Sequence, residues 1–192
     1  MAGVGGQGII TASRVIGDAA ILAGQNVLLS ETHGMAQRGG SVVCTARIGN
    51  VYSPLIPDGE ADIILSFELL ETLRSLCKAS KRTVVVSATE KIVPLSVSSQ
   101  NLQYPSVDEI VAHARRVAAE FVAVDASKLA REVGVPMSSN IVMLGALAGT
   151  GLTGLKREHF ERAIEMNIPR RTVENLKAFS GGHEAMVRAR KA

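Results

Sequence analysis

The sequence predicts an α/β protein, a three-layer α/β/α arrangement around a mostly parallel or mixed central sheet with a helical C-terminal section. Three observations predict it. Short apolar, β-branched runs alternate with stretches of helical spacing from residue 9 to residue 125. A glycine-rich turn, Gly3–Gly8 (GVGGQG), runs straight into the first helical stretch. The last third of the chain holds helical patterns and no strand-like run.

Taken in order, Ile9, Ala12, Ser13, Ile16, Ala19, Ala20 and Ala23 mark one face of a helix that Gly24 ends. Asn26–Ser30 is an apolar run of strand length, and the polar, glycine-rich segment Glu31–Gly40 (ETHGMAQRGG) follows it. Ser41–Ile48 alternates and is β-branched, which is strand character. After a turn with Pro54, Pro57 and Gly59, Ala61–Phe67 reads as a buried strand and Glu68–Ser80 as an amphipathic helix through Leu69, Leu70, Leu73, Leu76 and Cys77. Thr83–Ser87 is the next strand, 92–106 an irregular connection, Val107–Glu120 a helix and Phe121–Asp125 a strand. The helices Ala126–Val133, Ser139–Gly149, Lys156–Met166 and Arg171–Ala178 complete the chain, punctuated by Pro136, Gly151, Gly154 and Pro169. No stretch has linker composition, so residues 1–192 are expected to form one domain. Only Met1 and Ala2 precede Gly3, so the first strand is expected to be missing, with an open slot beside the second strand or a substitute from a neighbouring chain.

Composition narrows the function classes. The chain has 192 residues, 46% of them apolar, with no Trp, two Tyr and four Phe, which disfavours an aromatic nucleic-acid platform. Net charge is +3, but 9 of the 21 basic residues and only 5 of the 18 acidic ones fall in the last 42 positions. That pattern reads as solvated helix ends rather than a nucleic-acid surface, so no nucleic-acid partner is expected. Two cysteines, Cys44 and Cys77, cannot by themselves make an iron–sulfur or zinc site, which takes about four ligands. No apolar stretch approaches the roughly 20 residues of a membrane span, so no membrane association and a cytoplasmic setting are expected.

Two segments carry candidate chemistry. Gly3, Gly5 and Gly8 satisfy Gly-x-Gly-x-x-Gly, whose bare backbone lets N–H groups at a helix start face an anion, with Glu31 at the distance of the acidic residue in a dinucleotide site. The same glycines also serve a tight turn with close packing, and both readings stand. In the second segment, His33 is a candidate proton donor or hydrogen-bond partner, Arg38 a fork for phosphate or carboxylate, and Gly39–Gly40 a place of backbone approach. The alternative is a surface loop with a capping Glu31 and a solvated Arg38. His113, His159 and His183 lie among charged helical neighbours, and Asp62, Glu68 and Glu71 flank a strand-to-helix junction, where dipole capping is the plain explanation.

GVGGQG followed by ETHGMAQRGGSVV resembles the γ component of the 2-oxoacid:ferredoxin oxidoreductases, within which the small subunit of indolepyruvate-type enzymes is most similar. The resemblance continues through Ala61-Asp62, Phe67–Glu71, Asn140, Leu144–Ala146, Ile168-Pro169 and Glu174–Phe179. It implies a subunit without catalytic residues of its own, in an enzyme that oxidatively decarboxylates a 2-oxoacid to an acyl-CoA and passes electrons to ferredoxin. Thiamine diphosphate, Mg and [4Fe-4S] clusters would reside on a larger partner subunit, with coenzyme A as co-substrate and no metal on this chain. The matching positions for cofactor-side contacts are Gly3, Gly5, Gly6, Gln7, Gly8, His33, Gly34, Gln37, Arg38, Gly39, Gly40 and Ser41. The competing readings are a stand-alone Rossmann-like NAD(P)- or flavin-binding oxidoreductase and a structural assembly module.

Overall fold

The computed structural model describes residues 1–34, 39–92 and 103–191. At its centre a six-stranded mixed sheet runs in the order β2-β3-β1-β4-β5-β6. The strands are β1 (Ala2–Val4), β2 (Val27–His33), β3 (Ser41–Ile48), β4 (Ile63–Ser66), β5 (Val84–Ala88) and β6 (Glu120–Val124). β1, β4, β5 and β6 are parallel, and β3 is antiparallel to both β1 and β2. All five residues of β5 are buried, as a continuous apolar run in a parallel strand covered on both faces must be. β3 buries Val42 and Cys44 and exposes Val43 between them, the alternation of a strand with one covered face.

Seven helices flank this sheet among the described residues: α1 (Ile9–Leu22), α2 (Leu69–Ser75), α3 (Val107–Val117), α4 (Ala126–Glu132), α5 (Ser139–Gly149), α6 (Arg157–Asn167) and α7 (Thr172–Ala189). Val84 and Val86 of β5 enter a large core with Ile16, Leu144, Phe160 and Phe179, whereas Val85 enters a smaller one with Ile64 and Ala118. Neighbouring residues of one strand thus feed opposite cores, which makes the arrangement three-layered. α5 is buried at every position from Asn140 to Leu147, so it is the central helix of the thicker layer. Ser106 and Glu109 form a reciprocal capping box that starts α3.

The first strand is present, which corrects the expectation that it is missing. β1 pairs with β3 over Ala2↔Val43, Gly3↔Val42 and Val4↔Ser41, and on its other side the Phe67 N–H donates to the Ala2 carbonyl at 2.8 Å. Three residues suffice because the turn begins within the strand, the Val4 carbonyl accepting from Gln7 N–H at 3.1 Å, and because Ala2, Gly3 and Val4 are all buried between two partners. Nor does a slot separate β2 from its neighbour: β2, the edge strand, pairs with β3 along its whole length from Val27↔Ile48 to His33↔Val42. A cavity of about 530 Å³ lies instead in line with β1 beyond Met1, between Thr45–Ile48 of β3 and Ile63 and Leu65 of β4, with Ile16 and Leu147 in its wall. It lies at the end of β1 away from the glycine turn.

Other boundaries differ from expectation: the helix expected over Glu68–Ser80 ends at Ser75 and passes into a 3₁₀ turn, and the one expected over Val107–Glu120 ends at Val117, Glu120 already belonging to β6. β2 runs on to His33, taking Glu31, Thr32 and His33 out of the polar loop, because β3 offers them ladder partners that no local signal announces. α7 runs through Gly181 and Gly182 to Ala189, although a glycine pair reads locally as a stop.

Candidate functional site

Chain connections leave β1 toward β2 on one side and resume with β4 on the other, so the sheet switches direction between β1 and β4. In open α/β sheets the crevice beyond the carboxyl ends of the strands at such a point is the usual ligand site. The glycine turn occupies it.

Gly3 lies in β1, where a β-carbon would stand 2.8 Å from Gln7 Oε1 and 3.0 Å from Phe67 Cβ. Gln7 closes the turn: Val4 N–H donates to its Oε1 at 2.7 Å, and its Nε2 donates to the Phe67 carbonyl at 2.6 Å. One side chain thereby ties the ends of β1 and β4 together. Gly8 is left-handed (φ 75°) at the N-cap of α1, and a β-carbon there would lie 2.5 Å from Asn140 Nδ2, which donates to the Gly8 carbonyl at 3.3 Å. These two glycines therefore serve packing. Gly6 does not: at φ 105° its missing β-carbon faces open space. No side chain caps α1 and no acidic residue enters its first turn among the described residues, so its N–H groups are disposed toward an anionic group.

The second segment meets the first. Gly5 N–H donates to the Gly40 carbonyl at 2.8 Å, and Gly39 N–H, with Gly39 at φ 76°, donates to the Gly5 carbonyl at 3.2 Å. Gly34 N–H reaches the Ser41 carbonyl at 3.4 Å, and His33 ends β2 opposite Val42. Gln37 and Arg38 lie outside the described residues. Ser41 begins β3 and donates its hydroxyl to Glu71 Oε2 at 2.6 Å. The structure thus brings Gly3–Gly8 and Gly39–Ser41 into one wall and sets His33 two strands from β1, roughly 10 Å away at the usual strand spacing.

Sequence reasoning read Glu68 and Glu71 as capping groups, and they do more. Both are buried, beside the crevice where β4 passes into α2. Glu68 caps α2 by accepting from Glu71 N–H at 3.0 Å, and its Oε1 accepts from Ile92 N–H at 3.1 Å and from the Tyr104 hydroxyl. That hydroxyl in turn accepts from Leu70 N–H at 3.0 Å. Glu71 Oε1 takes the Arg74 guanidinium at 2.5 Å. Asp62, by contrast, is exposed, 3.9 Å from Arg82.

Burial first, and the neighbouring Glu68 second, push the Tyr104 phenol well above its ordinary value. The folded state then holds its proton where the unfolded state has lost it. Stability contributed by Tyr104 is therefore complete below about pH 10 and falls as pH rises beyond it. Denaturant titrations between pH 9 and 11 should show a steeper loss in the wild type than in Tyr104→Phe; equal slopes would contradict this.

The donor set offers no cluster or metal site among the described residues. Cys44 is in the core, where burial raises its thiol, and Cys77 is exposed.

The pyruvate ferredoxin/flavodoxin oxidoreductase family matches residues 1–185. The chain belongs to this family. It is 42% identical over 189 residues to the indolepyruvate oxidoreductase subunit IorB of Archaeoglobus fulgidus, covering 98% of this chain and 94% of that one. The γ subunit of a keto/oxoacid ferredoxin oxidoreductase from Geobacter sulfurreducens has the same fold, with a TM-score of 0.68 at 22% identity over 97% of this chain and 96% of that one. So does part of the 2-oxoglutarate:ferredoxin oxidoreductase of Magnetococcus marinus, solved with 2-oxoglutarate, coenzyme A and succinyl-CoA bound. There the TM-score is 0.71 at 22% identity, over 98% of this chain and 30% of that one.

Against this family fold the dinucleotide reading fails for a topological reason. In a dinucleotide site the acidic residue ends the strand next to β1. Here β3 stands between β1 and β2, and Glu31, paired with Cys44, is exposed one strand further out. The residues that sequence reasoning missed as parts of the site are Glu71 and Tyr104. Only the acidic residue three positions after Glu68 gave a local signal, and it pointed to a cap.

Proposed function

We propose that this chain is the small subunit of an indolepyruvate-type 2-oxoacid:ferredoxin oxidoreductase, and that the crevice at the β1/β4 switch point is its coenzyme side. The observation that carries the reading is the 42% identity to the Archaeoglobus subunit over 98% of the chain. A larger partner subunit supplies thiamine diphosphate, Mg and [4Fe-4S] clusters, and the assembled enzyme converts the 2-oxoacid and coenzyme A to acyl-CoA and carbon dioxide while reducing ferredoxin. On this reading the chain is one domain working in the cytoplasm. The wall formed by Gly5, Gly6, Gly8, Gly39 and Gly40 contributes backbone groups to the coenzyme, and Arg38 a fork for one of its phosphates. The open space at Gly6 and the uncapped start of α1 support this assignment.

The chain alone should not reduce a viologen dye with indolepyruvate and coenzyme A, and adding the thiamine-binding large subunit should restore reduction. Turnover by this chain alone would overturn the reading. In the reconstituted enzyme, Arg38→Ala should raise the KM for coenzyme A with the complex intact. Loss of the complex instead would favour an assembly module.

A further inference from the structure

We infer that Glu71 is a positioning residue for the coenzyme side of the crevice, acting through Ser41; the inference rests on the subunit reading above. Glu71 is 1% exposed, and its two oxygens serve different elements, Oε2 the Ser41 hydroxyl at the start of β3 and Oε1 the Arg74 guanidinium of α2. Its own N–H is held by Glu68 at 3.0 Å, so the carboxylate projects from a capped first helical turn.

Ser41 directly follows Gly39 and Gly40, whose backbone is paired with Gly5. Two successive glycines have wide conformational freedom and no side chain to pack. Their place against the β1 turn is therefore set by Gly5 and by what holds the next residue, whose backbone pairs with Val4 of β1 and whose side chain is held by Glu71. The segment is gripped from both sides, by Gly5 of the turn and by the carboxylate of α2.

The Glu71–Arg74 ion pair is weak evidence for stability, because the carboxylate is buried and pays desolvation while the guanidinium is 38% exposed and screened by water. A charge-assisted hydrogen bond does supply direction, and Ser41 donates one to Glu71 at 2.6 Å. The bond also commits the Ser41 proton to Glu71, leaving its oxygen only acceptor capacity. Ser41 thus belongs to the wall as a fixed strut, and any donor to the coenzyme comes from the backbone beside it.

The test uses the reconstituted two-subunit enzyme, with coenzyme A varied at saturating indolepyruvate and melting curves for each variant. Ser41→Ala should raise the KM for coenzyme A about tenfold, the effect of one lost charge-assisted bond, with a much smaller change in kcat. Glu71→Gln keeps an acceptor for Ser41 but loses its charge toward Arg74, and should give an intermediate rise. Ser41→Thr, which retains the hydroxyl at a strand position, should restore the wild-type KM.

An unchanged KM in Ser41→Ala, a lowered melting temperature as its sole effect, or failure of Ser41→Thr to rescue would each overturn the inference while the subunit reading stands. A wild-type complex without coenzyme-A-dependent turnover would overturn that reading and this inference with it.

Discussion

Gly182→Ala is expected to destabilise the protein by about 3 kcal/mol, while Gly181→Ala one position earlier stabilises it by roughly 0.5–1 kcal/mol. Both glycines lie within α7, where alanine is the better helix former. The difference is what a methyl group would meet. At Gly182 a β-carbon would stand 1.8 Å from the Val142 carbonyl oxygen of α5, and at Gly145 of α5 one would stand 1.9 Å from the Phe179 oxygen of α7. At Gly181 nothing lies within 4 Å. Backbone cannot step aside as a side chain can, so Gly182→Ala must push apart two helices whose contact runs through the centre of the thicker layer. For a chain of this size the shift corresponds to about 6–12 °C in Tm. Gly145→Ala strains the same crossing, so the double variant should lose less than the sum of the two single losses. Equal and small effects at 181 and 182 would mean that the helices do not touch through backbone.

The same glycines show where local reading stops. Ser41–Ile48 is legible with its observed bounds because β-branching and alternation are properties of the strand itself. The end of α7 is not, since a glycine pair marks a stop unless another helix is known to lie against it. β1 is illegible for a related reason: Ala2-Gly3-Val4 has little strand propensity of its own and is held by partners on both sides, supplied by residues about 40 and 60 positions away.

The candidate site divides in the same way. Gly3–Gly8 and Glu31–Gly40 are each conspicuous along the chain. What joins them, the bonds between Gly5 and Gly39–Gly40, is a property of β1 and β3 lying side by side. Asn140 could be placed at a helix start from sequence, but its grip on Gly8 spans 132 positions. Glu71 had a sufficient local explanation as a first-turn acid, which concealed the Ser41 bond formed 30 positions away.

Glu68→Ala is expected to be the most damaging change in the crevice floor, destabilising by about 3–5 kcal/mol and lowering Tm by about 6–20 °C. Glu68 is fully buried, and three donors converge on it: Glu71 N–H, Ile92 N–H and the Tyr104 hydroxyl. Losing the carboxylate removes the N-cap of α2, worth about 0.5–2 kcal/mol, and strands donors that cost about 1–3 kcal/mol each where water cannot replace the lost acceptor. Glu68→Gln separates the two contributions. Its amide oxygen can serve one side of the fork, but its NH₂ must then face a backbone N–H or the phenol. Tyr104 can turn its hydroxyl only by giving up the donation from Leu70 N–H. The glutamine variant should therefore fall between wild type and alanine, and the alkaline loss of stability traced to Tyr104 should weaken in both, because the neighbouring carboxylate that helps raise the phenol is gone. A frayed first turn in α2 would also release the Glu71 carboxylate from its direction toward Ser41, so coenzyme-dependent turnover should suffer at temperatures where the chain is still folded. Thermal and urea melts showing less than about 1 kcal/mol of loss would mean that water takes the place of the carboxylate, and that the floor of the crevice is wet.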